Sequence, residues 1–188
     1  MKTRLSDYPQ VHVDIETLGR RPTSVILSIG AVLLDYESER ITKEMHVNMD
    51  PADCEFYGLT TDEETVRWWK FQSEAAKART LDPKTRITLS KALDSLTGFL
   101  PKSGSFELWA NGPDFDVSIL ANAYLVTMKK VPWPFWAVRD YRTLRETFPH
   151  VKAPAKNKAA HDALEDARFQ ALHTLAIFRA VKQPTVDL

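Results

Sequence analysis

The chain has 188 residues, 44% of them hydrophobic and 27% charged, which fits one well-buried domain and excludes a disordered chain. No apolar run reaches the roughly 20 residues of a membrane helix, and a single cysteine, Cys54, leaves no internal disulfide and no cysteine-rich metal site. Formal net charge is zero, so nothing global draws the protein to a polyanion, although its charge is polarised along the chain. From Asp35 to Glu64 there are ten acidic and two basic residues; from Lys129 to Lys158 there are eight basic and two acidic. The opening "MKTRLSDYPQ" is polar and lacks a signal-like apolar segment. We therefore expect a cytoplasmic protein with no membrane partner, and Cys54 as a partly buried loop residue.

In chain order, "VHVDIET" reads as a strand closed by a Gly-Arg-Arg-Pro turn. "SVILSIGAVLLDY" is a strongly apolar second strand, with Gly30 marking a bulge or a close backbone approach. "RITKEMHVNM" alternates as a third, more exposed strand, and the three suggest an antiparallel meander. "TTDEETVRWWKFQSEAAKA" reads as one helix, capped between Thr60 and Asp62. Leu89, Leu93, Leu96 and Leu100 recur at helical spacing and stop at Pro101. "FELWANG" is a short strand followed by the helix "DFDVSILANAYLVTM". "VPWPFWAVRDYRTLRETF" starts irregularly and turns helical near Thr143. The Lys- and Ala-rich "VKAPAKNKAA" reads as a mobile loop. A last helix starts near Asp162, with capping-box spacing to Glu165 and an apolar stripe of Leu164, Ala167, Ala171, Leu175 and Phe178. With no linker or repeat, residues 1–188 form a single α/β domain with a mixed sheet.

Two carboxylates interrupt the first strand. Asp14 and Glu16, two residues apart, point to the same side, where they repel unless a cation lies between them. Oxygen-only ligands suit Mg²⁺ or Mn²⁺ rather than zinc; two solvated acids at a strand end are the alternative. Further acids stand at strand-to-helix junctions: Asp114 and Asp116 in "WANGPDFDVSIL", and Asp162, Glu165 and Asp166 beside His161 in "HDALEDA". Two metals about 3.5–4 Å apart clamp the attacking and leaving oxygens of a phosphoryl displacement. A histidine has the intrinsic pKa to take the proton from water.

The three motifs together, in order and spacing, resemble the DnaQ-like (DEDDh) 3'-5' exonuclease superfamily. "DIETLG" resembles its first motif, "NGPDFDVSIL" its second and "HDALEDA" its third, over about residues 11–180. The resemblance implies an RNase H-like fold, a mixed five-stranded sheet flanked by helices. It implies Asp14, Glu16, Asp116 and Asp166 as ligands of two divalent cations, Mg²⁺ or Mn²⁺, and His161 as general base. Asp114 is then no ligand, and Asp162 serves as a helix cap with Glu165 as its partner. Thr17, Leu18, Gly19, Asn111 and Phe115 are the implied contacts to the terminal nucleotide, with a core role as the alternative for Phe115.

Trp68 and Trp69 cannot face the same way on a helix. One belongs to the core and the other offers a stacking platform for a base; we assign the platform to Trp69. Arg139, Arg142, Lys156 and Lys158 are candidate phosphate contacts, with a solvated face as the alternative reading. The finer pattern is similar to small phage and prophage exonucleases, related to DexA and to Rv2179c-like domains. It implies a bacterial or phage-infected host, a single-stranded substrate held by its 3' end, with DNA slightly favoured over RNA, and a homodimer. A nuclease-like accessory module and an RNase H-type endonuclease are the other readings, the second at odds with "HDALEDA".

Overall fold

The computed structural model describes residues 8–102, 105–155 and 161–182. Its centre is the predicted meander: β1 (Gln10–Thr17), β2 (Ile26–Asp35) and β3 (Arg40–Met49) pair antiparallel in sequence order. β4 (Arg86–Ile87) adds a parallel edge beside β3, and β5 (Glu107–Ala110) and β6 (Val138–Asp140) add two parallel strands beyond β1. The sheet therefore has six strands, ordered β4-β3-β2-β1-β5-β6, rather than the expected five. β4 and β6 have two and three residues, too short for a period-2 pattern to be visible in sequence.

Both sheet faces are covered, so β2 reads as a nearly continuous apolar run. On one face Val11, Val13, Ile15, Ile29 and Ala31 pack against α4 (Leu89–Phe99) and α5 (Pro113–Val126). The leucine stripe of α4 is buried there, and Thr88 caps the helix by accepting the Lys91 amide. On the other face Val32, Leu34 and Trp109 meet α6 (Tyr141–Thr147) and α7 (Ala163–Lys182). The predicted stripe from Leu164 to Phe178 is buried in that cluster.

Two sequence expectations need correction. The segment read as one helix is two, α2 (Glu63–Lys70) and α3 (Glu74–Leu81). Asp62 caps α2 as expected, but Ser73 restarts the chain by accepting the Ala76 amide, the usual preference of serine for a helix start. Cys54 lies in a short helix, α1 (Pro51–Phe56), not in a loop, and is fully buried. Its Sγ approaches the Ile26 carbonyl at 3.6 Å, and burial pushes the thiol up to about 12, so it is inert. No helix among the described residues is long and apolar enough to cross a membrane.

One close contact positions everything that follows. A Cβ on Gly30 would lie 2.2 Å from the Ala163 carbonyl carbon and 2.2 Å from the Leu164 nitrogen. The start of α7 thus rests directly on β2. In the β1–β2 register Gly30 pairs with Asp14, so α7 begins beside the first of the two strand carboxylates.

Candidate active site

β1 and β5 pair only from Gln10 to His12, because β5 ends at Ala110. Beyond that point the strands part, and the crevice at the carboxyl end of parallel strands is where α/β folds bind ligands. The Ile15 amide, left without a β5 partner there, donates to Asp116 Oδ1 at 3.1 Å. Asp116 reaches it from the first turn of α5, which starts at Gly112 (φ +97°) and Pro113; a carboxylate there also suits the helix dipole. Asp116 is only 4% exposed, whereas Asp114 faces solvent. The two acids thus differ in surroundings: Asp116 is turned to β1 and Asp114 to solvent.

Asp14 and Glu16 project from β1 toward α7, and Asp166 faces them from the helix's first turn. Their carboxylate oxygens lie within 4.8 Å of one another. Burial raises the Asp14 pKa well above the ordinary carboxylate range; Asp116, Glu16 and Asp166 raise it further, and a hydrogen bond from Gln170 opposes the rise. Burial also carries Asp116 up to about 7, against hydrogen bonds from the Ile15 and Asp116 amides and the nearby Arg142 guanidinium. Three acids this close, with buried Asp116 raising the pKa of Asp14 further and all donating only oxygen, suit a hard divalent cation.

His161 has φ +65°, a left-handed conformation that is uncommon outside glycine and collects at functional sites. α3 holds its backbone: Thr80 Oγ1 donates to the His161 carbonyl at 3.4 Å. Asp162 caps α7 by accepting the Leu164 amide at 3.0 Å and the Glu165 amide at 3.3 Å, and its second oxygen accepts Arg79 Nε at 2.9 Å. The Glu165 carboxylate is engaged by Arg168. The His161 ring meets Trp68 edge-on, centroids 4.6 Å apart. The mobility expected for "VKAPAKNKAA" falls in part on residues 156–160, outside the described residues, as do Lys156 and Lys158.

Beside the acids opens a cleft of about 380 Å³, lined by Glu16, Thr17, Gly19, Arg20, Glu64, Thr65, Trp68 and Phe115. Of the predicted nucleotide contacts, Thr17, Gly19 and Phe115 are thus on its wall. Leu18 packs on the core, and Asn111 gives its carbonyl to Arg142 at 2.9 Å. The tryptophan assignment is reversed. Trp69 is 3% exposed with Nε1 donating to the Thr17 carbonyl at 2.9 Å, while Trp68 is 40% exposed and lines the cleft. Arg139 is tied to buried Glu107 at 2.9 Å and to the Trp136 carbonyl at 2.6 Å, whereas the guanidinium of Arg142 lies near Asp116.

Residues 9–178 match the family model of the Rv2179c-like 3'-5' exoribonuclease domain. The chain belongs to this family. It is a 3'-5' exonuclease, and its likeness to solved nucleases shows the RNase H-like fold. The nuclease domain of 3'hExo, a DEDDh family member solved with rAMP, is similar at TM-score 0.66 and 14% identity, over 93% of this chain and 94% of that one. The exonuclease I–ssDNA complex of E. coli gives TM-score 0.71 at 14% identity, over 93% of this chain but 41% of that one. Cell-death related nuclease 4 gives 0.61 at 13%, over 92% of this chain and 64% of that one. No curated protein matches the chain.

Sequence reasoning missed Trp68 as the cleft residue, Arg79 as the brace of Asp162, and Gln170. The two tryptophans of this exonuclease should separate cleanly by mutation. Trp69→Ala empties a buried site and should cost about 3–5 kcal/mol, read as a lowered melting temperature. Trp68→Ala should leave melting within about 0.5 kcal/mol but raise KM for an oligonucleotide roughly 5- to 100-fold, the worth of one stacked base. The reverse pattern would return the stacking role to Trp69.

Proposed function

We propose that this exonuclease removes nucleoside 5'-monophosphates one at a time from the 3' end of a single strand, using two divalent cations, with RNA preferred over DNA. The observation that carries the reading is the convergence of Asp14, Glu16 and Asp166 within 4.8 Å, with buried Asp116 behind them and a cleft of one-nucleotide size alongside. Bound cations would polarise the scissile phosphate and acidify the attacking water. Asp14, Glu16, Asp116 and Asp166 would hold them. His161, in its neutral form, takes the proton from that water. Trp68 and Phe115 flank the terminal base, and Glu16, Thr17 and Gly19 border its sugar.

The preference for RNA draws on the description of the matched family model and reverses the slight lean to DNA drawn from the DexA-like pattern. Discriminating the sugars needs contacts to the 2'-hydroxyl. A time course on 3'- and 5'-labelled single strands, RNA and DNA in parallel, with Mn²⁺ or EDTA, tests the proposal. A metal-dependent ladder shrinking from the 3' end, faster on RNA, is the expected result. Binding without cleavage of either strand would favour an accessory module instead.

His161→Ala should lower kcat by about 10²–10⁴-fold, the usual worth of a general base, with melting unchanged. At saturating Mn²⁺, where the acids stay ionised, the wild-type rate should climb with pH as imidazole loses its proton, and that limb should vanish in the variant. An unaltered pH–rate profile would assign the base elsewhere.

A further inference from the structure

We infer that Gln170 is a positioning residue for the metal-binding carboxylate of Asp14. Four residues after Asp166 on α7, Gln170 presents its side chain to the same face of the sheet, and Nε2 donates to Asp14 Oδ1 at 2.8 Å. The residue is 3% exposed. Only the NH₂ end of an amide can meet an ionised carboxylate, since the oxygen end would be repelled. That choice leaves Gln170 Oε1 buried with no hydrogen-bond partner among the described residues. A buried orphan acceptor is uncommon and needs a reason; the reason here is the donor at the other end.

That donor fixes the rotation of the Asp14 carboxylate about its last bond, so that the group stands ready toward Glu16 and Asp166. Outer partners that orient a ligand in this way are commonly worth 10- to 100-fold in metal affinity or activity. The sequence offers the same logic in its spacing: Asp166 and Gln170 occupy one stripe of α7, opposite Asp14 on β1.

This assignment rests on the metal-site reading above, and calorimetric titration of Mn²⁺ into the full chain tests both. Gln170→Leu keeps the side-chain volume and removes both polar ends; Gln170→Met, which is flexible enough to fill an irregular gap, serves as the second variant. Each is expected to melt at or above the wild-type temperature in EDTA, to bind Mn²⁺ about 10- to 100-fold more weakly, and to regain rate as Mn²⁺ is raised, with KM for the oligonucleotide unchanged. Wild-type affinity for Mn²⁺ in a folded variant would overturn the role of Gln170 alone. If both variants melted far below wild type in EDTA, Gln170 would be a structural residue and the assignment would fall. Wild-type protein that takes up no Mn²⁺ would overturn the metal site itself, and the role of Gln170 with it.

Discussion

Asp14→Asn is expected to abolish cleavage and, in EDTA, to raise the melting temperature. Both halves follow from the same position. Asp14 is the acid whose charge burial and three neighbouring carboxylates oppose most strongly, so without a cation its ionised form costs the fold stability. Asparagine keeps the shape and still accepts from Gln170, but removes one of the like charges. Cleavage should fall by at least about 10²–10³-fold, as when a single group that stabilises transition-state charge is lost. Each kcal/mol regained should lift melting by about 2–4 °C in a domain of this size.

The same acids set a pH dependence with a definite sign. Asp14 and Asp116 are raised in the folded protein, Asp116 to about 7, so the folded state keeps protons that the unfolded chain releases near pH 4. Metal-free stability should therefore fall as pH climbs from about 4 to about 7, and the slope should be shallower in Asp14→Asn. Cation binding requires ionised acids, so the melting difference between Mn²⁺ and EDTA should widen over that range. Melting curves across pH settle the matter; an asparagine variant less stable than wild type in EDTA would refute this account of the site.

Gly30→Ala should damage both the fold and the site, although its backbone is not in the left-handed region. The added Cβ would meet main-chain atoms of Ala163 and Leu164 at 2.2–2.3 Å, and no rotamer change can relieve a contact with backbone. Overpacking commonly costs 1–3 kcal/mol and sometimes more; here α7 itself must retreat. Asp166 and Gln170 retreat with it, away from Asp14, and the link to His161 is strained. We expect a melting temperature lower by about 5–10 °C, in line with such a cost, and a cleavage rate down at least tenfold at saturating Mn²⁺. Wild-type melting and rate would show that α7 does not depend on this contact.

Gly30 is legible in the sequence itself: a lone glycine inside an apolar strand marks a bulge or a close approach, and the approach is what occurs. The acids of β1, α5 and α7 are legible because each sits in a short motif whose residue types serve one chemistry. What sequence could not decide is the rotation of an element within the fold. Trp68 and Trp69 stand about 100° apart on a helix, and only the Thr17 carbonyl, waiting for the Trp69 indole, tells which one turns inward. Ser73 is a readable helix start that a continuous pattern obscures. Gln170 looks like any polar residue on an amphipathic helix; its spacing of four from Asp166 is the available signal, and a signal that weak acquires meaning only when β1 is seen beneath it.

The dependence on α7 also bears on biosynthesis. β1 is made well before α7, with Asp14 and Glu16 in place, and α5 then supplies Asp116. A nascent chain that has not yet reached Ala163 nonetheless lacks Asp166, Gln170 and the helix that closes one face of the sheet. Such a chain can neither gather the fourth carboxylate nor bury the apolar side of β2. With Asp166 holding a cation as proposed above, synthesis itself would impose a delay: the power to degrade a nucleic acid strand is expected only after the part of the message that encodes α7 has been read.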